Sequence, residues 1–319
     1  MTSPLRIAVI GTGATGSVYA GLLASAGHEV TAIDAWREHM EAIRERGLRV
    51  TGASGDRTAT LAATTDPTEV GAVDLVVLAT KAHDVESAAT AALALLGDDT
   101  IVLPIQNGLG SRERVAAIVG PQRVMTGVIG GFGASIVEPG HVHHHGMELV
   151  RLGERSGPVT ERVELVADAW RQAGFTVRTF DDVDRLVWEK LICNVAFSAT
   201  CAITGATIGG VVDDPDAWPV AQACAIEAYQ VAVGLGVALE FHDPVAWVHE
   251  FASAIPRARP SMLLDVLAGR PSEVDAINGS IPPLADELGL PAPVNRTVTA
   301  LVHAIERTGT APLPRPQAG

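Results

Sequence analysis

The first half of the chain alternates short, continuous apolar runs with stretches whose apolar residues recur at helical spacing. Residues 5–10 (LRIAVI) read as a buried strand, 14–26 as a helix and 29–34 (EVTAID) as a second strand. The signal returns at 74–79 (DLVVLA) and 100–105 (TIVLPI), with an alanine-rich helix at 84–96 between them. Unbroken β-branched strands alternating with helices predict a doubly wound parallel sheet. Residues 123–151 have a different texture. Glycines there punctuate short alternating segments, which predicts antiparallel strands added to that sheet. A helix near 158–173 and a strand near 175–180 complete this half.

Beyond Asp184 the β-patterned segments stop. Amphipathic runs at 184–203, 215–235, 243–255 and 273–289 predict helices, broken by Pro/Gly turns such as GLGVALEFHDP and IPRARPS. The pattern is thus α/β over residues 1–181, followed by an all-helical domain over 182–319. The terminal stretch TAPLPRPQAG is expected to be loose.

Strand 5–10 runs directly into Gly11-Thr12-Gly13-Ala14-Thr15-Gly16, where a helix starts. Gly11 suits the tight turn, Gly13 lets backbone approach a pyrophosphate, and Gly16 allows helix and strand to pack closely. The helix N-terminus then offers free N–H groups and a positive dipole end to phosphates. Asp34 ends the next strand 18 residues past Gly16, the context that a dinucleotide fingerprint demands. The first domain is therefore expected to be a Rossmann-type dinucleotide-binding domain. A carboxylate at Asp34 accepts from a ribose 2′-hydroxyl and repels a 2′-phosphate, which favours NAD. Arg37 lies close enough in sequence to leave NADP possible.

Bulk properties narrow the partners. A formal net charge of −14 argues against nucleic acid and anionic membranes. No stretch approaches the roughly 20 unbroken apolar residues of a membrane span, and the N-terminus has no signal-peptide pattern. A cytoplasmic protein is expected. Cys193, Cys201 and Cys224 form no CxxC pair and read as buried small hydrophobes.

Two lysines, Lys81 and Lys190, stand against 21 arginines. A lysine retained in that background offers a compact ammonium whose proton can move. Lys190, Asn194 and Ser198 recur at i, i+4 and i+8, giving a polar stripe on an otherwise apolar helix. Burying ammonium, amide and hydroxyl is costly unless they face a polar ligand, and a 2-oxo acid suits them.

WEKLICN (188–194) resembles the segment of the ketopantoate reductase (2-dehydropantoate 2-reductase) family that carries a general-acid lysine and, one turn on, a substrate-binding asparagine. ATKAH (79–83) is similar to the block with the family's cofactor-side lysine, here Lys81. QNGLG (106–110) carries Asn107, which in the family lies where cofactor and substrate meet. PSMLLDVLAGRPSEVDAING (260–279) resembles the block with a substrate-binding serine, here Ser261, and a glutamate in the lysine's network, here Glu273. The resemblance spans residues 5 to about 300. It implies hydride transfer from a nicotinamide cofactor to a small 2-oxo acid, giving the (R)-2-hydroxy acid, or the reverse oxidation. Lys190 is then the general acid, helped by Glu273 and Asn107. Asn194, Ser198 and Ser261 hold the substrate in a cleft between the domains. A homodimer is also implied. Ser198 departs from the family, which commonly has a second asparagine there, and Asp34 departs from its NADPH-using members. These departures leave open an NAD-dependent D-2-hydroxyacid dehydrogenase acting on a substrate other than pantoate. A β-hydroxyacid or 6-phosphogluconate-type dehydrogenase and a non-catalytic dinucleotide sensor are the remaining alternatives.

His141, His143 and His145 alternate and so share one face of a strand, with His144 on the other. Histidines with ordinary partners are expected there rather than a metal site. Trp218, Trp247, Phe241 and Phe251 read as core or interface, and 241–255 as a stretch that could line the substrate cleft.

Overall fold

The computed structural model describes residues 3–131, 133–146, 149–155 and 157–309. The loose tail expected at 310–319 lies outside them. In chain order the first half runs β1 (Arg6–Ile10), α1 (Ala14–Ser25), β2 (Glu29–Ile33), α2 (Arg37–Arg46), β3 (Leu48–Gly52), β4 (Arg57–Ala59) and β5 (Ala62–Thr64). It continues with β6 (Val73–Leu78), α3 (Val85–Ala92), β7 (Leu96–Pro104), α4 (Ser111–Val119), β8 (Thr126–Ile129), β9 (Gly133–Glu138) and β10 (His141–Gly146). The last elements of this half are β11 (Leu149–Gly153), α5 (Glu161–Gln172) and β12 (Thr176–Thr179).

A five-stranded parallel sheet, ordered β5-β2-β1-β6-β7, carries the fold. Its strands read as continuous apolar runs because both faces are covered. Ile7 and Val9 of β1 join a core with Leu22, Leu23 and Trp170, whereas Ala8 and Ile10 join a second core with Ala89 and Leu95. The doubly wound α/β class read from the pattern is therefore the fold.

Two expectations need correction. The strands of 123–151 do not extend the parallel sheet by a ladder. The β9–β10 hairpin joins β3 and β4 in a sheet ordered β4-β3-β10-β9, and β8 and β11 join β12 in a third. An isolated bridge joins Val124 to Val102 of β7. The partner strands β3 and β4 are short and glycine-flanked, too weak in pattern to be read as strands.

The second half contains α6 (Val183–Thr204), α7 (Ile208–Val212), α8 (Ala217–Gly234), α9 (Pro244–Ala254), α10 (Ser261–Leu267), α11 (Ile281–Leu288) and α12 (Pro293–Thr308). The second correction falls here: the helix expected over 273–289 begins only at Ile281. Pro282 and Pro283 lack an N–H and would collide with carbonyls one turn back, so a helix can begin at them but not run through them. Residues 273–280 instead form turns that end in a 3-10 segment, Asn278–Ser280.

The chain divides into two compact units, 1–106 with 111–183, and 107–110 with 184–319. The short loop 107–110 thus belongs with the helices. In that unit α6 is long and apolar enough to cross a membrane, yet most of it is buried in the helical core. The three cysteines are buried there as well, and burial pushes the Cys193 and Cys201 thiols up to about 12.

Candidate active site

In the first unit β1 passes into the glycine turn and α1. Gly11 takes φ +90°, and a Cβ there would meet the Thr80 backbone nitrogen at 2.5 Å. A Cβ on Gly16 would meet the Gly11 carbonyl at 2.2 Å, so helix and turn touch directly. Nothing lies within 4 Å of a Cβ built on Gly13, which leaves that backbone open to a ligand. Thr12 is fully buried: its hydroxyl donates toward the Val9 and Ile33 carbonyls and accepts from the Ile33 N–H. It staples the turn to β2 rather than facing outward. No side chain caps α1 and its first turn holds no acidic residue, so the N–H groups of Ala14, Thr15 and Gly16 remain available to an anion.

Asp34 follows β2. Its Oδ1 accepts the Trp36 N–H at 2.9 Å. Arg37 is exposed, its guanidinium 3.9 Å from Glu41. Lys81 is half-buried just past β6. Beside it, Gln106 donates to the Leu78 and Thr80 carbonyls at 2.8 and 3.1 Å. Among the described residues the buried Gln106 Oε1 and Thr80 Oγ1 atoms have no hydrogen-bond partner, and Thr80 abuts Gly11. Open backbone at Gly13, uncapped N–H groups and unsatisfied polar atoms at the strand ends all fit a dinucleotide. Thr80 and Gln106 had no spacing signal of their own. Thr80 lies inside ATKAH and Gln106 opens QNGLG, which was the available clue.

The helical unit brings Lys190, Asn107 and Glu273 together. The Lys190 ammonium donates to Asn107 Oδ1 at 2.8 Å, and Asn107 Nδ2 donates to Glu273 Oε2 at 3.1 Å. Glu273 is buried. Asn107 reaches it because its loop docks on the turn that follows Glu273: the Leu109 N–H donates to the Ala276 carbonyl at 2.9 Å. Gly108, at φ +83°, is pressed on the same carbonyl, which a Cβ would meet at 2.0 Å. The Glu273 turn is held in its own right, since the Ser272 N–H donates to Glu306 of α12 at 2.9 Å.

From Trp188 to Ala202, Lys190 and Asn194 alone on α6 are not fully buried. Ser198, next on the stripe, is 5% exposed. Asn194, Ser198 and Ser261 make no side-chain hydrogen bond among the described residues. Ser261 lies exposed at the start of α10, and no hydrogen bond ties it to the lysine chain. Unsatisfied polar groups beside a positioned ammonium are the form that a site for an oxygen-rich anion takes.

Behind Lys190, the sequence pattern missed two supports. The buried Glu189 carboxylate accepts the Glu240 N–H at 3.1 Å, and the Trp247 indole donates to the Glu189 carbonyl at 3.3 Å. Trp247 stacks on Phe241, and Phe197 packs against Trp218 and Phe251. The aromatics of 241–255 thus pack within the helical unit.

On β10, the Thr51 hydroxyl lies 3.1 Å from His141 Nε2 and 3.2 Å from His143 Nδ1, and Ser135 meets His145 at 2.9 Å. Among the described residues no three His, Cys, Asp or Glu side chains are grouped as metal ligands.

A Rossmann-type sheet with an open glycine turn, and a helical unit carrying a lysine–amide–carboxylate chain, define a nicotinamide-dependent oxidoreductase. Comparison with known proteins narrows the class. Residues 7–157 match the family model "Ketopantoate reductase PanE/ApbA", and 182–306 match its C-terminal counterpart. The chain belongs to the ketopantoate reductase family. It is 33% identical to the 2-dehydropantoate 2-reductase of Archaeoglobus fulgidus, over 94% of this chain and 98% of that one. The enzyme of the same name from Mesorhizobium japonicum is 34% identical, over 95% and 99%. Among solved structures, a PanE/ApbA family ketopantoate reductase from Ralstonia eutropha superposes with a TM-score of 0.87 at 34% identity, covering 95% of this chain and 99% of that one. D-mandelate dehydrogenase in ternary complex with NADH and anilino(oxo)acetate also gives 0.87, at 26% identity, covering 96% and 99%.

Proposed function

We propose that this chain reduces a small 2-oxo acid, ketopantoate or a close analogue, to the (R)-2-hydroxy acid, or runs the reverse oxidation. The Lys190–Asn107–Glu273 chain, set beside the unpartnered Asn194 and Ser198, supports this most directly. A bound nicotinamide supplies or takes up the hydride. Lys190 protonates the carbonyl oxygen as it becomes an alkoxide and stabilises its charge. Asn107 fixes the ammonium from one side, and Glu273 acts on the lysine through that amide. Asn194, Ser198 and Ser261 hold the carboxylate and any further hydroxyl. Gly11, Thr12, Gly13, Ala14, Thr15 and Gly16 form the pyrophosphate turn, with Lys81 on the cofactor side.

NADH is the preferred cofactor in this reading. Asp34 stands where the adenosine ribose is met, and Arg37 points to Glu41 instead of across it. Like charges about 4 Å apart cost roughly 4 kcal/mol at an effective dielectric near 20, before solvent and side-chain rotation reduce it. A residue of about 1.4 kcal/mol still gives tenfold discrimination. These features also favour a second reading, an NAD-dependent D-2-hydroxyacid dehydrogenase whose substrate is not pantoate, with Ser198 replacing an amide. The same proposal places the enzyme in the cytoplasm as a homodimer.

Initial rates with ketopantoate and a panel of 2-oxo acids, each with NADH and NADPH, test both readings. Turnover of ketopantoate supports the first. Turnover of other 2-oxo acids alone supports the second. Nucleotide binding with no turnover on any acid would overturn both. A wild-type preference for NADPH, unaltered in Asp34→Ala, would overturn the cofactor assignment.

A further inference from the structure

Trp36 is a large apolar side chain left 36% exposed two residues beyond Asp34. Its indole nonetheless lies flat on the His39 ring, centroids 4.8 Å apart and planes 10° apart. His39 is fully buried, and both ring nitrogens are engaged. Nδ1 accepts the Gly140 N–H at 3.0 Å, so the proton sits on Nε2, which donates to Ser17 Oγ at 2.9 Å. The Ser17 hydroxyl donates onward to the Thr12 carbonyl at 3.1 Å. Each donor has one acceptor, which fixes the tautomer and the ring plane. Burial also lowers the His39 pKa, keeping the ring neutral.

The imidazole is thus a rigid backing, anchored to the glycine turn on one side and to the β9–β10 hairpin on the other. Trp36 nonetheless keeps 36% of its surface exposed with this backing in place. The Trp36 backbone N–H donates to Asp34 Oδ1, so the residue that carries the indole is anchored beside the carboxylate assigned to the adenosine ribose. Adenine hangs from the ribose carbon next to the one bearing the 2′-hydroxyl, within reach of a flat apolar surface at that place.

We propose that Trp36 is a cofactor-binding residue: its indole stacks on the adenine ring, and the Ser17–His39–Gly140 chain holds it there. This rests on the reading that Asp34 meets the adenosine ribose.

The test is to titrate wild type, Trp36→Ala and Trp36→Phe with NADH, ADP-ribose and 5′-AMP, the last two lacking nicotinamide and 2′-phosphate. Stacking predicts about tenfold weaker binding of all three to Trp36→Ala, with most of the loss restored in Trp36→Phe. The NADH-to-NADPH preference should stay at its wild-type value, because adenine is common to both nucleotides. Affinities within twofold of wild type in Trp36→Ala overturn the proposal. So does a loss that comes with a lowered Tm and is not restored by Phe, which would make Trp36 a structural residue. Failure of the Asp34 reading shows elsewhere, as a wild-type preference for NADPH, while the 5′-AMP result is unaffected.

Discussion

Asn107 turns its carbonyl toward the Lys190 ammonium and its amino group toward the Glu273 carboxylate. The flipped amide would set an N–H against an ammonium and an oxygen against a carboxylate, so the neighbours select one orientation. The residue-scale prediction concerns the lysine. Lys190→Ala should keep the fold and cofactor affinity but lower kcat by about 10²–10⁴, the usual worth of a positioned acid. Lys190→Arg should restore little of it, because a guanidinium gives up no proton in this pH range. Steady-state rates beside an NADH titration check both points. Near-wild-type kcat in Lys190→Ala would remove this residue from the mechanism.

Elements bring these groups within reach. Helix α6 carries Lys190 and Asn194 one turn apart, while the 107–110 loop inserts Asn107 by resting Gly108 on the Ala276 carbonyl. Gly108→Ala would meet backbone that cannot swing aside, at a positive φ that a side chain resists. Asn107 would shift by a fraction of an ångström or more. A misplacement near 1 Å costs about 10²-fold, so kcat/KM should fall on that order while NADH affinity holds. Unchanged kinetics would show that the loop docking does not set the site. The same unit shows an element-scale support that is purely structural. The buried Glu227 of α8 accepts the Val294 and Asn295 N–H groups at the start of α12, each at 2.8 Å. Glu227→Gln should cost about 1–3 kcal/mol in a urea melt and leave cofactor choice alone.

For the whole molecule, pH is the sharpest probe. His28, His39 and His144 are all buried in the first unit, and burial, the largest cause at each, lowers their pKa from 6.5. The unfolded chain therefore binds protons more readily than the folded one in this window. Their contribution is fully present above about pH 6.5 and is lost as pH falls toward the folded-state values. Most carboxylates stay ionised down to about pH 5, so the net charge of −14 changes mainly through histidines over that span. Tm measured from pH 8 to 5 at fixed salt should hold and then drop below about 6.5, by roughly 2–4 °C per kcal/mol lost. A flat curve would mean that these rings accept protons in place.

Local pattern was enough for whatever depends on neighbours in the chain. The apolar runs of β1, β2, β6 and β7 announced a buried parallel sheet, and Gly11, Gly13 and Gly16 announced the tight turn from β1 into α1. The i, i+4, i+8 stripe announced that Lys190, Asn194 and Ser198 share a helix face, because helical period is a local property. Tertiary structure decided the rest. Whether β9 and β10 extended the main sheet depended on pairing with β3, more than 80 residues away in sequence. The turn at 273–280 replaced a helix because prolines stop one from being continued backward, and that turn is what Asn107 docks against. Asn107 and Glu273 are 166 residues apart, and no periodicity links them. Their bond exists because Gly108 can lie on a distant carbonyl. The flat Trp36–His39 pair likewise depends on Gly140, 101 residues beyond the histidine. Pattern reports which face a side chain takes on its own element; only packing decides which other element that face meets.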